Sequence, residues 1–157
     1  MEIPEHIRPY WAEYQAASGG EQSGRFYEVF HFDDNEHDAN ALAELVLRGT
    51  KRATASLLWS YEASQKPLPV SGSVSVVTNW QRLPLCVIET EKVSVVAYDE
   101  VTEEFAAAEG EGDGTLSYWR RVHWAYFGRE CARLEKTPSL KMPVVCEEFS
   151  VVYGGAS

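Results

Sequence analysis

The order of apolar and polar residues predicts helices and short strands in the first half of the chain. Residues 9–17 carry an aromatic stripe typical of a helix, and residues 26–32 have the composition of a strand. Asp38 is placed as the N-cap of the next helix and Gly49 as its stop. Residues 54–61 then alternate between a Thr/Ser face and an apolar face, which indicates a strand. The apolar face of the helix before that strand is the set Ala39, Leu42, Ala43 and Val46.

The second half of the chain is richer in strand patterns. Residues 73–78 predict one strand, and residues 85–98 predict either one long strand or two shorter ones. A short helix is expected over residues 102–109, and a longer helix is expected after Asp113 as its N-cap. Residues 144–153 predict a closing strand. Because strands and helices do not alternate as regular βαβ units, the pattern predicts an α+β fold around a small barrel.

Composition and charge exclude several classes of protein. The chain has 157 residues, 24 acidic and 14 basic side chains, and a formal net charge of −10. That length suits one domain, and the acidic charge opposes a general duplex-DNA binder, which needs many Lys and Arg contacts to phosphates. No apolar run suits a membrane span and the N-terminus lacks a signal pattern, so we expect a cytoplasmic protein. The widely spaced Cys86, Cys131 and Cys146 predict free, buried thiols.

Three cations gather between the second predicted helix and the strand that follows, at Arg48, Lys51 and Arg52. Arg48 is explained by the helix dipole, because a cation offsets the negative end of a helix. Lys51 and Arg52 lie beyond the Gly49 stop and are explained less well. The hydroxyl of Thr54 becomes a nucleophile if a base removes its proton, and a lysine is that base only if nearby cations or burial lower its pKa. The alternative is an ordinary solvent-facing threonine on a strand.

Glu109 is the second candidate for chemistry. It ends the predicted short helix, where the helix dipole disfavours a negative charge. The carboxylate is therefore either hydrated or paired with a cation, and Lys51 and the Arg48/Arg52 pair are the obvious partners. Glycines at positions 110, 112 and 114 resemble a phosphate loop only superficially, because they follow no strand and two carboxylates lie among them. We interpret them as a tight connection between helices.

The helix that begins near residue 116 interleaves aromatic rings with arginines. Such a pattern can stack a base and neutralise a phosphate, and it makes Arg120 and Trp124 candidates for a pocket wall. The acidic cluster at residues 31–37 lacks the ligand spacing of a zinc or calcium site, so we expect no metal ion and no cofactor. The positions of this helix expected in the core are Trp119, His123 and Phe127.

Taken together, these segments resemble the ASCH family, a PUA-like group of small proteins proposed to act on RNA. The Lys-x-x-Thr spacing of Lys51 and Thr54 and the Glu that follows an alanine-containing helix are among the matching features. The resemblance covers nearly all of the chain. It rests on residues 45–54, 68–72, 84–90, 101–106, 109–113, 116–124 and 145–149.

The resemblance implies a fold and an activity. The fold is a small, partly open β-barrel flanked by helices, in a single ASCH domain over residues 1–157 with a helical extension at about 1–24. One branch of smaller bacterial relatives hydrolyses the acetyl amide of N4-acetylcytidine. Carried over, Lys51 is the base, Thr54 the nucleophile and Glu109 the residue that orients or balances the lysine. Substrate contacts are expected from Arg48, Arg52, Ser56, Arg120 and Trp124.

Two alternatives stay open at the level of sequence. One is a metal-independent ribonuclease acting on single-stranded RNA, in which Lys51 and Arg52 hold the scissile phosphate. The other is an RNA-binding module without turnover. The chain is about half as long again as the smaller hydrolases, which leaves its substrate open. The expected partner is thus a nucleoside or single-stranded RNA, with a homodimer as a further possibility.

Overall fold

In the part of the chain that the structure describes, the backbone forms one mixed sheet of five strands with helices packed around it. The structure, a computed structural model, describes residues 2–155. The spatial order of the strands is β1-β3-β4-β5-β2, in which β1 and β3 are parallel and every other neighbouring pair is antiparallel. The strands are β1 (Phe26–Phe30), β2 (Ala53–Leu57), β3 (Val74–Thr78), β4 (Pro84–Ala97) and β5 (Pro143–Tyr153).

The sheet is not closed into a barrel, so the prediction of a small β-barrel is wrong while the α+β class is confirmed. Within residues 2–155, β1 and β2 are the two edges of the sheet and do not pair with each other. Glu28 and Phe30 of β1 and Thr54 and Ser56 of β2 line one cavity. The cavity thus borders both edge strands, which a closed barrel would join by hydrogen bonds.

Five α-helices accompany the sheet within the described residues 2–155. The predicted helices over residues 9–17, 102–109 and beyond 116 are confirmed, and the pattern over residues 85–98 resolves into one long strand. Short 3₁₀ turns precede α1 and β1 and follow β4. The helices are α1 (Arg8–Ser18), α2 (Glu36–Leu47), α3 (Leu58–Ser64), α4 (Glu103–Glu109) and α5 (Leu116–Leu134).

The strand predicted over residues 54–61 is wrong in its second half, where the chain turns into α3. The partner strand explains where β2 stops. Leu57 pairs with Val144 of β5, and the next residue of that strand is Pro143, which has no N–H to donate to a longer ladder. Tyr61 therefore sits on a helix, and its hydroxyl lies 3.0 Å from that of Ser56.

The N-caps of two helices also differ from the predicted residues. Asn35 caps α2 in place of Asp38, and its side-chain oxygen accepts the backbone N–H of Asp38 at 2.9 Å. Thr115 caps α5 in place of Asp113, whose carboxylate instead accepts the backbone N–H and hydroxyl of Thr115. In both helices the observed N-cap is a polar residue with an extended backbone. The predicted type of capping residue is therefore right, and its predicted position is wrong by a few residues.

The apolar core lies on both faces of the sheet. On one face, Ile7, Trp11 and Tyr14 of the N-terminal helical segment pack against Val74 and Val87. α2 covers a neighbouring region, and α4 and α5 pack against β2 and the start of β5. All three cysteines are free and buried, as predicted. In the part of the chain described, helices with the length and apolarity of a membrane span are absent.

Candidate active site

Lys51 is a buried lysine, with 1% of its surface exposed. α2 ends just before it, where Gly49 adopts a left-handed φ of 80° and the backbone N–H groups of Thr50 and Lys51 both donate to the Leu45 carbonyl. This turn directs the Lys51 ammonium inward. Its three donors are fully used, on the Ala53 carbonyl oxygen at 2.7 Å and on two carboxylates described next.

Glu109 and Glu111 supply those carboxylates. The Lys51 Nζ lies 3.0 Å from Glu109 Oε1 and 2.8 Å from Glu111 Oε2. Glu109 is itself only 1% exposed, so its pairing with Lys51 is a buried ion pair. The structure therefore brings together two of the three predicted catalytic residues, Lys51 and Glu109, although the chain separates them widely.

A close approach of two backbone segments makes this pairing possible. Arg52 N–H donates to the Ala108 carbonyl oxygen at 2.7 Å. Gly110 follows α4 with a φ of 65°, and a Cβ added there would lie 2.3 Å from the Thr50 carbonyl oxygen. Glycine is required here both for the left-handed backbone and for the close contact.

His123 completes the charged group. Its Nε2 lies 3.2 Å from Glu109 Oε2, and its Nδ1 lies 2.9 Å from the Trp119 carbonyl oxygen. Both ring nitrogens thus face oxygen acceptors, which favours the doubly protonated imidazolium. The indole N–H of Trp119 also donates to Glu109 Oε2, and the Trp119 and His123 rings stack with centroids 4.1 Å apart.

The pKa shifts follow from burial and these contacts. Burial by itself lowers the pKa of Lys51 and of His123, but the facing carboxylates outweigh it and raise both. Burial also favours the neutral form of Glu109, yet Lys51 and His123 hold its pKa well below the usual value. Burial dominates at Glu111 and raises its pKa. The group thus brings Lys51 and His123 together with two carboxyl groups, and Lys51 is an ammonium at neutral pH.

This protonation state differs from the expected lowering of the Lys51 pKa by neighbouring arginines. Arg48 and Arg52 are exposed, and Arg48 pairs with Glu44 on the surface of α2. Solvent screens such charges, whereas Glu109 and Glu111 act on Lys51 at hydrogen-bond distance in a buried place.

A cavity of about 300 Å³ opens onto this charged group. Thr54 and Ser56 of β2 line it together with Lys51, Glu109 and His123. The aromatic side chains on its wall are Phe30, Phe32, Tyr61 and Tyr126. Aromatic walls with a few convergent polar groups are typical of a small-molecule site, and the volume is at the lower end of the usual range of about 300 to 1,000 Å³.

Four of the five predicted substrate-binding residues lie outside this cavity. Ser56 lines it, whereas Arg48, Arg52, Arg120 and Trp124 do not. Trp124 is 41% exposed on α5 and its ring packs against Tyr98. Any contact these four make with a ligand would therefore lie on the outer surface.

Glu111 and His123 were not among the predicted site residues, since Glu111 was assigned to a connecting loop and His123 to the core. Two features of the sequence could have indicated these residues. One is a second carboxylate two residues after Glu109, and the other is a histidine among the apolar positions of a helix, because charged and titratable side chains are uncommon in a protein interior. By donor type, Glu109, Glu111 and His123 also suit a divalent cation. The Lys51 ammonium already bonds both carboxylates, so such an ion would have to displace it.

The fold and the site together describe an α+β domain with an open five-stranded sheet and a buried lysine–carboxylate group beside a small cavity. The ASCH domain family model matches residues 28–153 of the chain. The chain belongs to the ASCH domain family, whose PUA-like fold is often linked to RNA binding. The family resemblance inferred from the sequence is thus confirmed.

Two solved structures of high similarity support this assignment. The ASCH domain from Lactobacillus crispatus is 37% identical, with a TM-score of 0.89 and 98% of each chain covered. A protein from Enterococcus faecalis is 30% identical, with a TM-score of 0.87, covering 96% of this chain and 90% of its own. Among functionally curated proteins, none matches the sequence significantly.

Proposed function

We propose that the protein hydrolyses the acetyl amide of N4-acetylcytidine-type nucleosides, with Thr54 as the nucleophile. The observation that carries this proposal is the buried Lys51–Glu109 pair, at 3.0 Å, in a cavity that Thr54 also lines. Thr54 lines the same cavity as Lys51, and removal of its hydroxyl proton by an amine base would activate it for attack on a carbonyl carbon.

Charge in the cavity favours a neutral substrate over a phosphodiester. Two lysines line it, Lys51 and Lys66, and both are already paired with carboxylates. Carboxyl groups there outnumber the cationic side chains of Lys51, Lys66 and His123, and those that are ionised repel a phosphate. The carboxyl groups on its lining are those of Glu28, Asp33, Glu109, Glu111 and Glu147.

Glu111 gives Lys51 a route to act as a base. Its carboxylate lies 2.8 Å from Lys51 Nζ, which is hydrogen-bond distance for a proton transfer between the two groups. In the proposed reaction one proton passes from Lys51 to Glu111, and the amine then takes the proton of Thr54. Thr54 Oγ1 attacks the acetyl carbon, the C–N bond breaks, and the Lys51 proton goes to the departing N4 of cytidine. Water then attacks the acetyl-threonine ester, one of its protons passes to Thr54 Oγ1, and acetic acid leaves. Glu111 returns its proton to Lys51, which restores the starting state.

The test is hydrolysis of N4-acetylcytidine by purified protein, with cytidine and acetate measured as products. Lys51→Met and Thr54→Ala are expected to reduce kcat by at least about 100-fold, the usual scale for loss of acid–base or nucleophilic function. Lys92→Met and Thr137→Ala, at exposed positions, are the matched controls and should keep full activity. A wild-type protein that leaves the substrate intact, or a Thr54→Ala variant with full activity, would overturn the proposal.

The same preparation separates the two alternatives. A labelled, unstructured RNA oligonucleotide is incubated without metal, and its cleavage would indicate the ribonuclease if Lys51→Met abolishes it. Binding of that RNA with no product from either substrate would indicate the binding module. Exposed Trp124 and Arg120 on α5 are the residues whose variants should weaken RNA binding in that case.

A further inference from the structure

A second charged group lines the cavity and takes no part in the proposed reaction. Glu147 of β5 is 9% exposed, and its Oε2 accepts the hydroxyl of Thr90 at 2.6 Å. Lys66 pairs with Glu28 nearby, and its ammonium lies 5.2 Å and 5.4 Å from the ring centroids of Tyr27 and Tyr61. A buried carboxyl group with one oxygen fixed by Thr90 is a rigid polar contact for a ligand.

The strand register places Glu147 beside the proposed nucleophile. Thr54 of β2 and Glu147 of β5 are direct partners in the antiparallel pair, so their side chains project from the same face of the sheet. Both line the cavity. The bond to Thr90, on β4, holds the Glu147 carboxyl group toward the interior of the sheet and away from β2. A nucleoside whose acetyl carbon meets Thr54 would therefore turn the ring edge beside that amide toward Glu147.

We infer that Glu147 is a specificity-determining residue that hydrogen-bonds the edge of a cytosine ring, formed by ring atom N3 and the exocyclic N4–H. The inference deepens the proposed function, since it concerns the same cavity and the same substrate class. A neutral carboxyl group offers one O–H donor and one carbonyl acceptor side by side. N3 is an acceptor and N4–H is a donor, so the two groups can form a pair of hydrogen bonds.

The surroundings of Glu147 favour the neutral form that this pairing requires. Burial raises the pKa of Glu147, the hydrogen bond from Thr90 lowers it, Glu28 of β1 raises it, and Lys66 lowers it, with a net rise. Tyr27 and Tyr61, the neighbouring phenols, have pKa values raised by burial and stay neutral. Ligand affinity should therefore be highest where Glu147 is protonated and should fall as the pH rises through its raised pKa.

The experiment measures the affinity of the intact protein for cytidine by calorimetry across a series of pH values. Glu147→Ala should weaken binding on the order of 10-fold to 100-fold, as expected for the loss of two hydrogen bonds in a buried site. Glu147→Gln, whose amide also offers one donor direction and one acceptor, should keep affinity within a few-fold and lose the pH dependence. Glu148→Ala and Glu148→Gln, at the next position and outside the cavity lining, are the controls.

The outcomes separate this inference from the proposed hydrolysis. Cytidine binding with the expected Glu147 pattern supports the inference even if no amide is cleaved, and that result would overturn the proposed reaction alone. No cytidine binding by the wild-type protein, or equal affinity of Glu147→Ala and wild type, would overturn the inference. If Glu147→Ala fails to fold, the near-isosteric Glu147→Gln is a sufficient test. A pH dependence of cytidine affinity that is unchanged in Glu147→Gln would show that Glu147 is not the group whose protonation controls binding.

Discussion

The ammonium group of Lys51 lies 3.0 Å from a carboxylate oxygen of Glu109, a residue 58 positions further along the chain. Both side chains are 1% exposed, so neither charge has access to bulk water for compensation. The pair is held by the approach of Gly110 to Thr50, and it joins the turn between α2 and β2 to the C-terminal end of α4. The same contact serves the stability of the fold and the chemistry of the cavity.

Removing one partner of this pair should destabilise the protein strongly. Lys51→Met leaves the buried Glu109 and the partly buried Glu111 without their lysine partner, and loss of one partner from a buried ion pair typically costs about 3–5 kcal/mol. The double variant Lys51→Met/Glu109→Gln should recover part of that loss. The free energy of unfolding in urea measures both effects. Arg48→Met, which removes an exposed pair with Glu44, is the control and should change it by less than about 1 kcal/mol. Equal effects of Lys51→Met and Arg48→Met would contradict the buried pair.

His123 should carry protons on both ring nitrogens at neutral pH. Its pKa is raised because Glu109 and Glu111 outweigh the effect of burial. A raised folded-state pKa contributes stability that is complete below the unfolded-state value and is lost as the pH rises through the folded-state value. Nuclear magnetic resonance of the labelled imidazole reports the protonation directly, with exposed His37 as the reference. Urea unfolding of wild type and His123→Gln across the same pH range should differ most at low pH, and a neutral His123 at pH 7 would contradict the assignment.

Gly110→Ala should damage the site far more than Gly114→Ala. Both glycines have left-handed φ angles, of 65° and 75°, so both substitutions introduce backbone strain of about 1 kcal/mol. Only at Gly110 would the added Cβ meet a neighbour, the Thr50 carbonyl oxygen at 2.3 Å, while at Gly114 there is open space. The midpoint of unfolding and the rate of amide hydrolysis should both fall further in Gly110→Ala. Similar losses in the two variants would show that backbone strain, and not contact with the Thr50 carbonyl oxygen, accounts for the effect of Gly110→Ala.

Glu111→Gln should lower kcat more than it changes KM. The substitution keeps the size of the side chain but removes the acceptor of the Lys51 proton, a change of about 100-fold or more for acid–base function. Steady-state kinetics on N4-acetylcytidine separates the two constants. Asp113→Asn, in the same loop but exposed, is the matched control. A raised KM with an unchanged kcat would instead assign Glu111 to binding.

Local patterns were sufficient for most of the secondary structure. α2 and α4, the long β4 and the closing β5 were predicted with ends close to those observed, because each has a clear period and a polar or glycine boundary. The error at residues 58–61 has a long-range cause. Alternation over eight residues fits a strand, but Pro143 on the partner strand leaves no ladder for β2 to continue along.

The sequence by itself determined the α+β class, the ASCH resemblance and the prominence of Lys51, Thr54 and Glu109, since spacing and residue type are local properties. Only the tertiary structure decided that the sheet stays open, that Glu111 and His123 join Lys51, and that Glu147 faces the same cavity as Thr54. It also decided the charge state of Lys51. The reason is that the pKa of a buried group depends on which charges lie within a few ångströms, and those neighbours come from distant parts of the chain.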